Sequence, residues 1–249
     1  MTNPLFYTPD VTGVTADMTV TLDAAASGHA VRSQRLQSGD AVLLSDGAGT
    51  LAVGTIAHAD PQHTTVDIGT VEVQAPPAVR INLVQALAKG DRDLLAAEMG
   101  TEIGVDSVTP WQAQRSIVRI RAERATKMLG KWEAKLHAAA QQSRRAFIPQ
   151  LREPLHGSSI ATLQDTGEGQ HLVVLHEDGQ HDLSEVLERV QGLHTIHLVV
   201  GPEGGVAPEE LAAVENVKGS AVKIGANVLR ASTAGPVAIT LINQFLNRW

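Results

Sequence analysis

Two stretches, HLVVGPEGGVAPEE (residues 197–210) and AVKIGANVLRASTAGP (residues 221–236), decide how the chain is read. His197 to Val200 is short, apolar and β-branched, and Gly201-Pro202-Glu203-Gly204-Gly205 punctuates it at once. That pattern is a buried, parallel-type strand ending in a turn that needs glycine conformations. Pro208-Glu209-Glu210 then opens a helix, with proline in the first turn and acids near the positive end of the helix dipole. Ala221 to Ile224 is a second strand ending in Gly225, followed by a loop over 226–231 and a final helix capped by Ser232 or Thr233. Both glycine-bearing loops fall at carboxyl ends of strands, where open α/β sheets bind ligands. Ordinary strand-to-helix turns have the same look, so spacing alone leaves both readings standing.

Working outward, Arg80 to Leu87 reads as a strand, Asp91 to Met99 as a helix and Val105 to Thr109 as another strand. This βαβ unit implies a parallel sheet. Ala122 to Arg144 is a long helix in which Met128, Leu129, Trp132, Leu136 and Ala140 recur at steps of three and four and make the buried face. Trp132 is therefore core rather than a stacking platform. Leu172 to Leu175 is a further buried strand, and Leu183 to Val190 a helix. Before residue 74 the texture changes to short strands with turn signals: Met18 to Leu22, Ala41 to Ser45, Leu51 to Ile56 and Thr64 to Val73. That spacing suggests a small β-barrel. His29 to Leu36 reads as a short helix with Arg32 and Arg35 on one face. Gln74-Ala75-Pro76-Pro77 is a stiff linker, so the chain divides into domains at 1–74 and 78–249.

Composition narrows the function. The 249 residues contain no cysteine, which excludes disulfides and thiolate metal sites. The ten histidines are scattered without an HxxxH pair, so no metal is expected. No signal peptide or bilayer-length apolar run is visible, and a cytoplasmic protein is expected. The net charge of −7 argues against a nucleic-acid partner until its distribution is read. Residues 115–152 hold ten Lys and Arg against Glu123 and Glu133, half of all the basic residues. A basic stripe on an acidic chain is a polyanion footprint, although a solvated helix face is the commoner meaning of such runs. Lys131 and Lys135, four apart on the long helix, are candidate RNA contacts.

GPEGG followed two dozen residues later by IGxxVLRxxTA resembles the SPOUT superfamily of RNA methyltransferases. The match is to its small-subunit ribosomal RNA uridine-N3 methyltransferase family, often called RsmE. Further landmarks recur at Lys89 to Arg92, Glu102 to Val105, Arg115-Ser116, and Ser143, Arg145 and Pro149. HAVRSQRLQSGDAVLLSDGAG (residues 29–49) resembles the same family's N-terminal PUA-like domain. The resemblance implies a PUA-like barrel followed by an α/β domain with a C-terminal trefoil knot, and a homodimer. It implies S-adenosylmethionine as cofactor and methylation of N3 of a uridine in 16S rRNA, free or in the small ribosomal subunit. Cofactor contacts would come from Leu175, Leu198, Gly201, Glu203, Gly204, Gly205, Ile224, Gly225 and Leu229. RNA contacts would come from Arg32, Arg35, Lys131, Lys135 and Arg145. Arg230 is the catalytic candidate: it is always protonated, so it stabilises charge rather than acting as a base. Three positions depart from the family pattern: Gln141 and Ser232 stand where Glu is usual, and Asn227 where Arg is usual. Glu203 either holds its loop or handles a proton, and the residues do not choose. The rival readings are another SPOUT RNA methyltransferase, or a catalytically weak RNA-binding assembly factor that keeps the fold.

Overall fold

Runs such as Ile81 to Ala86 and Ile196 to Val200 are buried at every position, the polar Asn82, Gln85 and His197 included, because both faces of their sheet are covered. The computed structural model describes residues 3–164, 169–189 and 192–248. Two compact units emerge: residues up to Pro76 with Ala140–Ile148, and Pro77–Ala139 with Pro149 onward.

In the first unit, β1 (Leu5–Tyr7), β2 (Thr19–Thr21), β3 (Ala41–Ser45), β4 (Thr50–His58) and β5 (Thr65–Val73) form a mixed sheet in the order β1-β3-β4-β5-β2. Only β1 and β3 run parallel. Phe6, Leu22, Val42, Leu44, Ala52, Ile56 and Val66 fill its core. The helix expected over 29–36 is displaced. Helix α1 (Ala24–Gly28) begins earlier, because Asp23 accepts a hydrogen bond from the Ala26 amide at 2.7 Å and caps it. A single wide turn then runs over His29–Ser33, and Arg35 lies beyond it at φ 58°. Arg32 and Arg35 therefore do not share a helical face, contrary to expectation.

The segment 140–148 belongs to this first unit through backbone and side-chain bonds. The Ser45 hydroxyl and the Gly49 amide both donate to the Ala146 carbonyl, and the Ile148 amide to the Gly47 carbonyl. The Tyr7 hydroxyl donates to the Arg145 carbonyl at 2.7 Å, and burial pushes that phenol up to about 12. Gly49, at φ 119°, leaves no room for a Cβ, which would sit 2.7 Å from the Phe147 ring. Gln141 donates from Nε2 to the Leu5 carbonyl at 2.8 Å. A glutamate, having no donor when ionised, cannot make that bond.

The second unit is an eight-stranded sheet, parallel throughout. Its strands are β6 (Arg80–Ala86), β7 (Ser107–Gln112), β8 (Gln150–Leu151), β9 (Leu155–His156), β10 (Gln170–Leu175), β11 (His181–Asp182), β12 (Thr195–Val200) and β13 (Ser220–Lys223). Their order is β11-β13-β10-β12-β6-β7-β8, with β9 also paired to β7. Helices are α2 (Arg92–Ile103), α3 (Ala122–Gln142), α4 (Leu183–Arg189), α5 (Pro208–Asn216) and α6 (Ala231–Phe245). One face packs Ile81, Leu83, Ile196 and Leu198 against Ala97, Trp132, Leu136, Val186, Ala238 and Ile239. The other packs Val84, Val174 and Val199 against Val214 and Ile160. Trp132 is buried in the first of these cores.

Candidate active site

The carboxyl ends of β10, β12 and β13 lie side by side, so the loops leaving them converge on one cavity of about 580 Å³. Its wall is built from residues 175–177, 200–206 and 222–231, together with Arg92, Arg115 and Ala234. Such a volume is typical of a small-molecule site. Leu175, Gly201, Glu203, Gly204, Gly205, Ile224, Gly225, Leu229 and Arg230, all singled out in the sequence, meet here. Leu198 does not. It is fully buried in the core two residues down the strand, where alternation turns it to the same face as Val200 but a pleat deeper. Val200 and Val222 take the apolar wall instead.

The glycines serve different ends. A Cβ on Gly204 would come within 3.2 Å of Arg115 Cβ and 3.4 Å of its carbonyl, so this position is small to admit Arg115. At Gly225 a Cβ would meet nothing within 4 Å, which leaves the backbone open to the cavity for a ligand to approach.

Two arginines clasp the GPEGG loop from outside it. Arg92, from the first turn of α2, bonds Glu203 Oε1 through Nη1 at 3.0 Å. Arg115, from the segment after β7, donates from Nη1 to the Gly204 carbonyl at 3.1 Å. Both were visible in the sequence only as family landmarks without a role. Asp93 steadies the base of α2 by accepting from the Ala88 and Leu94 amides, and burial raises its carboxyl above the usual range. The buried Glu210 accepts from the Gln114 amide at 2.7 Å and the Ala207 amide at 2.9 Å, which ties the segment before Arg115 to the start of α5.

Arg230 is the exposed residue immediately before α6, and its side chain makes no capping bond. Ser232, two residues on, is buried. Four cationic side chains line the cavity (Arg92, Arg115, Lys223 and Arg230) against the carboxylates Glu177 and Glu203. Glu177 has no ion-pair partner among the described residues. No group of three His, Asp or Glu side chains able to hold a metal occurs among them.

At the opposite, amino-terminal end of the strands a polar ladder is buried. Asn82 Nδ2 donates to His197 Nδ1 at 2.9 Å, and His197 Nε2 donates to Gln170 Oε1 at 2.9 Å. Those partners select the neutral ring protonated on Nε2. Ser107 and Thr109 hydroxyls donate to Asn82 Oδ1, and Arg152 Nε donates to Ser107 Oγ.

The candidate RNA contacts fall in both units. In the first, Arg32 and Arg35 are exposed and unpaired among the described residues, since Asp40 is occupied with the Gln37 amide. Arg145 is half-buried there. In the second, Lys131 is exposed, whereas Lys135 Nζ bonds Glu98 Oε2 at 3.0 Å.

Comparison with known proteins matches residues 75–243 to an RNA methyltransferase domain and residues 22–69 to an RNA methyltransferase PUA domain. A ribosomal RNA small subunit methyltransferase E of Mycobacterium bovis is 35% identical over 98% of this chain and 93% of its own length. A crystal structure of a ribosomal RNA small subunit methyltransferase E from Neisseria gonorrhoeae, bound to S-adenosyl methionine, superimposes with a TM-score of 0.84. It covers 98% of both chains at 24% identity. A probable rRNA-methyltransferase from Porphyromonas gingivalis aligns with a TM-score of 0.78 and 27% identity, over 98% of this chain and 99% of its own.

Proposed function

We propose that this chain, which belongs to the ribosomal RNA small subunit methyltransferase E family, transfers the methyl group of S-adenosylmethionine to N3 of a uridine in 16S rRNA of the small ribosomal subunit. The carrying observation is the cavity at the carboxyl ends of β10, β12 and β13, walled by backbone-rich loops with Arg230 on its lining. When bound, S-adenosylmethionine supplies a methyl group on a sulfonium. Its adenosine needs apolar walls and close backbone donors and acceptors, and the residues present fit that need. Leu175, Val200, Val222, Ile224 and Leu229 give the walls, while the open backbone at Gly225 and the Gly201 to Gly205 turn give the polar contacts.

Arg230 acts on the uracil. Loss of the N3 proton spreads negative charge onto the uracil oxygens, and a fixed guanidinium beside them stabilises that charge. Glu203 is held by Arg92 and keeps the loop in shape. Holding acceptor and methyl in line supplies much of the rate. Incubating the protein with methyl-tritiated S-adenosylmethionine and unmethylated small subunits tests this. Label is expected in the rRNA, and none entering it would overturn the reading.

The five-stranded sheet, over most of which the PUA match extends, closes in this reading as a PUA-like barrel spanning 1–74 that carries RNA through Arg32 and Arg35, together with Arg145 of the segment 140–148 in the same unit. The domain over 78–249 carries a trefoil knot. Supporting it, β13 lies on the far side of β10 from β12, the strand before it. The enzyme works in the cytoplasm, and no helix among the described residues is long and apolar enough to cross a membrane. It works as a homodimer: α6 exposes Leu241 and Phe245 four apart, and α2 exposes Leu95. Leu241→Glu is expected to convert a dimer to a monomer in analytical ultracentrifugation, and a monomeric parent would remove the claim.

On α3, Lys131 rather than the ion-paired Lys135 carries RNA affinity. Lys131→Glu is expected to lower the slope of log affinity against log salt by about 1 to 2. An unchanged slope would take this helix off the RNA face.

A further inference from the structure

Arg115 stands between the cofactor loop and open solvent. One of its five N–H donors is spent on the Gly204 carbonyl, and its exposed guanidinium also lines the cavity. No carboxylate lies within ion-pairing distance of it among the described residues. Its base does not drift, because the Gln114 amide is pinned to the buried Glu210. Gly204 has no side chain where one would press on Arg115, so the loop is shaped around this arginine. Arg92 differs: its guanidinium is neutralised by Glu203.

From this arrangement, and resting on the function proposed above, we infer that Arg115 is a positioning residue that binds a phosphate of the target RNA with its remaining N–H groups while bracing the cofactor loop. One side chain then belongs to both ligand sites. An RNA phosphate seated on the fork immobilises Arg115 and with it the Gly204 carbonyl, so the loop needs less ordering when cofactor arrives. By linkage the effect is reciprocal: bound cofactor fixes the loop, the loop fixes the guanidinium, and RNA binds tighter. Lysine in this place keeps the charge and loses the planar fork that makes two sets of bonds at once.

The test uses S-adenosylhomocysteine, which cannot turn over, in equilibrium dialysis with and without unmethylated small ribosomal subunits. For the parent protein, subunits are expected to tighten S-adenosylhomocysteine binding about 5- to 10-fold. In Arg115→Met that factor is expected to fall below about twofold, with subunit affinity and its salt slope also reduced. Arg115→Lys is expected to regain the salt slope without regaining the coupling. A coupling factor unchanged in Arg115→Met overturns the inference, as does a parent protein whose two ligands bind independently. A parent that binds no S-adenosylhomocysteine at all contradicts the proposed function instead.

Discussion

Arg230→Ala is expected to lower methyl transfer to small subunits by about 10²- to 10³-fold, the usual cost of removing one preorganised charge-stabilising group. Its affinity for S-adenosylmethionine, read by calorimetry, is expected to change less than about twofold, because an interaction made only as charge develops leaves ground-state binding alone. The structure makes this separation readable. Arg230 is exposed, makes no capping bond to α6 and has no carboxylate partner among the described residues, so its removal leaves the fold intact. Arg230→Lys keeps the charge without the bidentate fork and is expected to fall between the two. Equal loss of turnover and cofactor affinity in Arg230→Ala would mean that the arginine shapes the loop rather than the reaction.

Acid is expected to destabilise the second unit through His197. Burial is the main cause that holds this imidazole down at about 4 instead of 6.5, with Arg152 adding to it. A proton on Nδ1 would also face the Asn82 amide donor that now points at it. Above pH 6.5 the ring is neutral in the folded and unfolded chain alike, and its contribution is fully present. Between 6.5 and about 4 only the unfolded chain takes the proton, so stability falls by about 3 kcal/mol across that window and then levels off. Burial lowers His171 as well, which adds loss of the same sign. Urea unfolding at pH 7 and pH 4 checks this. The parent is expected to lose about 3 kcal/mol more over that interval than His197→Gln, which has no proton to gain. Equal losses in the two proteins would contradict it.

Much of the cavity was legible in the sequence because its loops announce themselves locally. Apolar runs ending in GPEGG and in Ile224-Gly225 mark strand ends, and strand ends of a parallel sheet share one edge. What was not legible is long-range. Arg92 and Arg115 reach Glu203 and Gly204 across 111 and 89 residues of chain. Their approach follows from β6 lying next to β12 and β7 next to β6, a neighbour order that no periodicity records. Leu198 was misplaced for a related reason: its apolar character is right, but depth along a strand is set by where neighbouring strands end. The helix expected over 29–36 failed on a local signal that was present, since Asp23 three residues before Ala26 is a capping arrangement. Gln141, visible only as a departure, acquires its reason in the Leu5 carbonyl, 136 residues away.

Which atom receives the methyl is the most direct test of the account. Small subunits lacking the modification, treated with the protein and S-adenosylmethionine, would have their rRNA digested to nucleosides and identified by mass spectrometry. 3-Methyluridine is expected with the parent protein and a trace of it with Arg230→Ala. A methyl group on a ribose oxygen or another base would contradict the assigned acceptor. Cofactor binding without any methyl transfer would make the chain an RNA-binding relative that has lost the reaction.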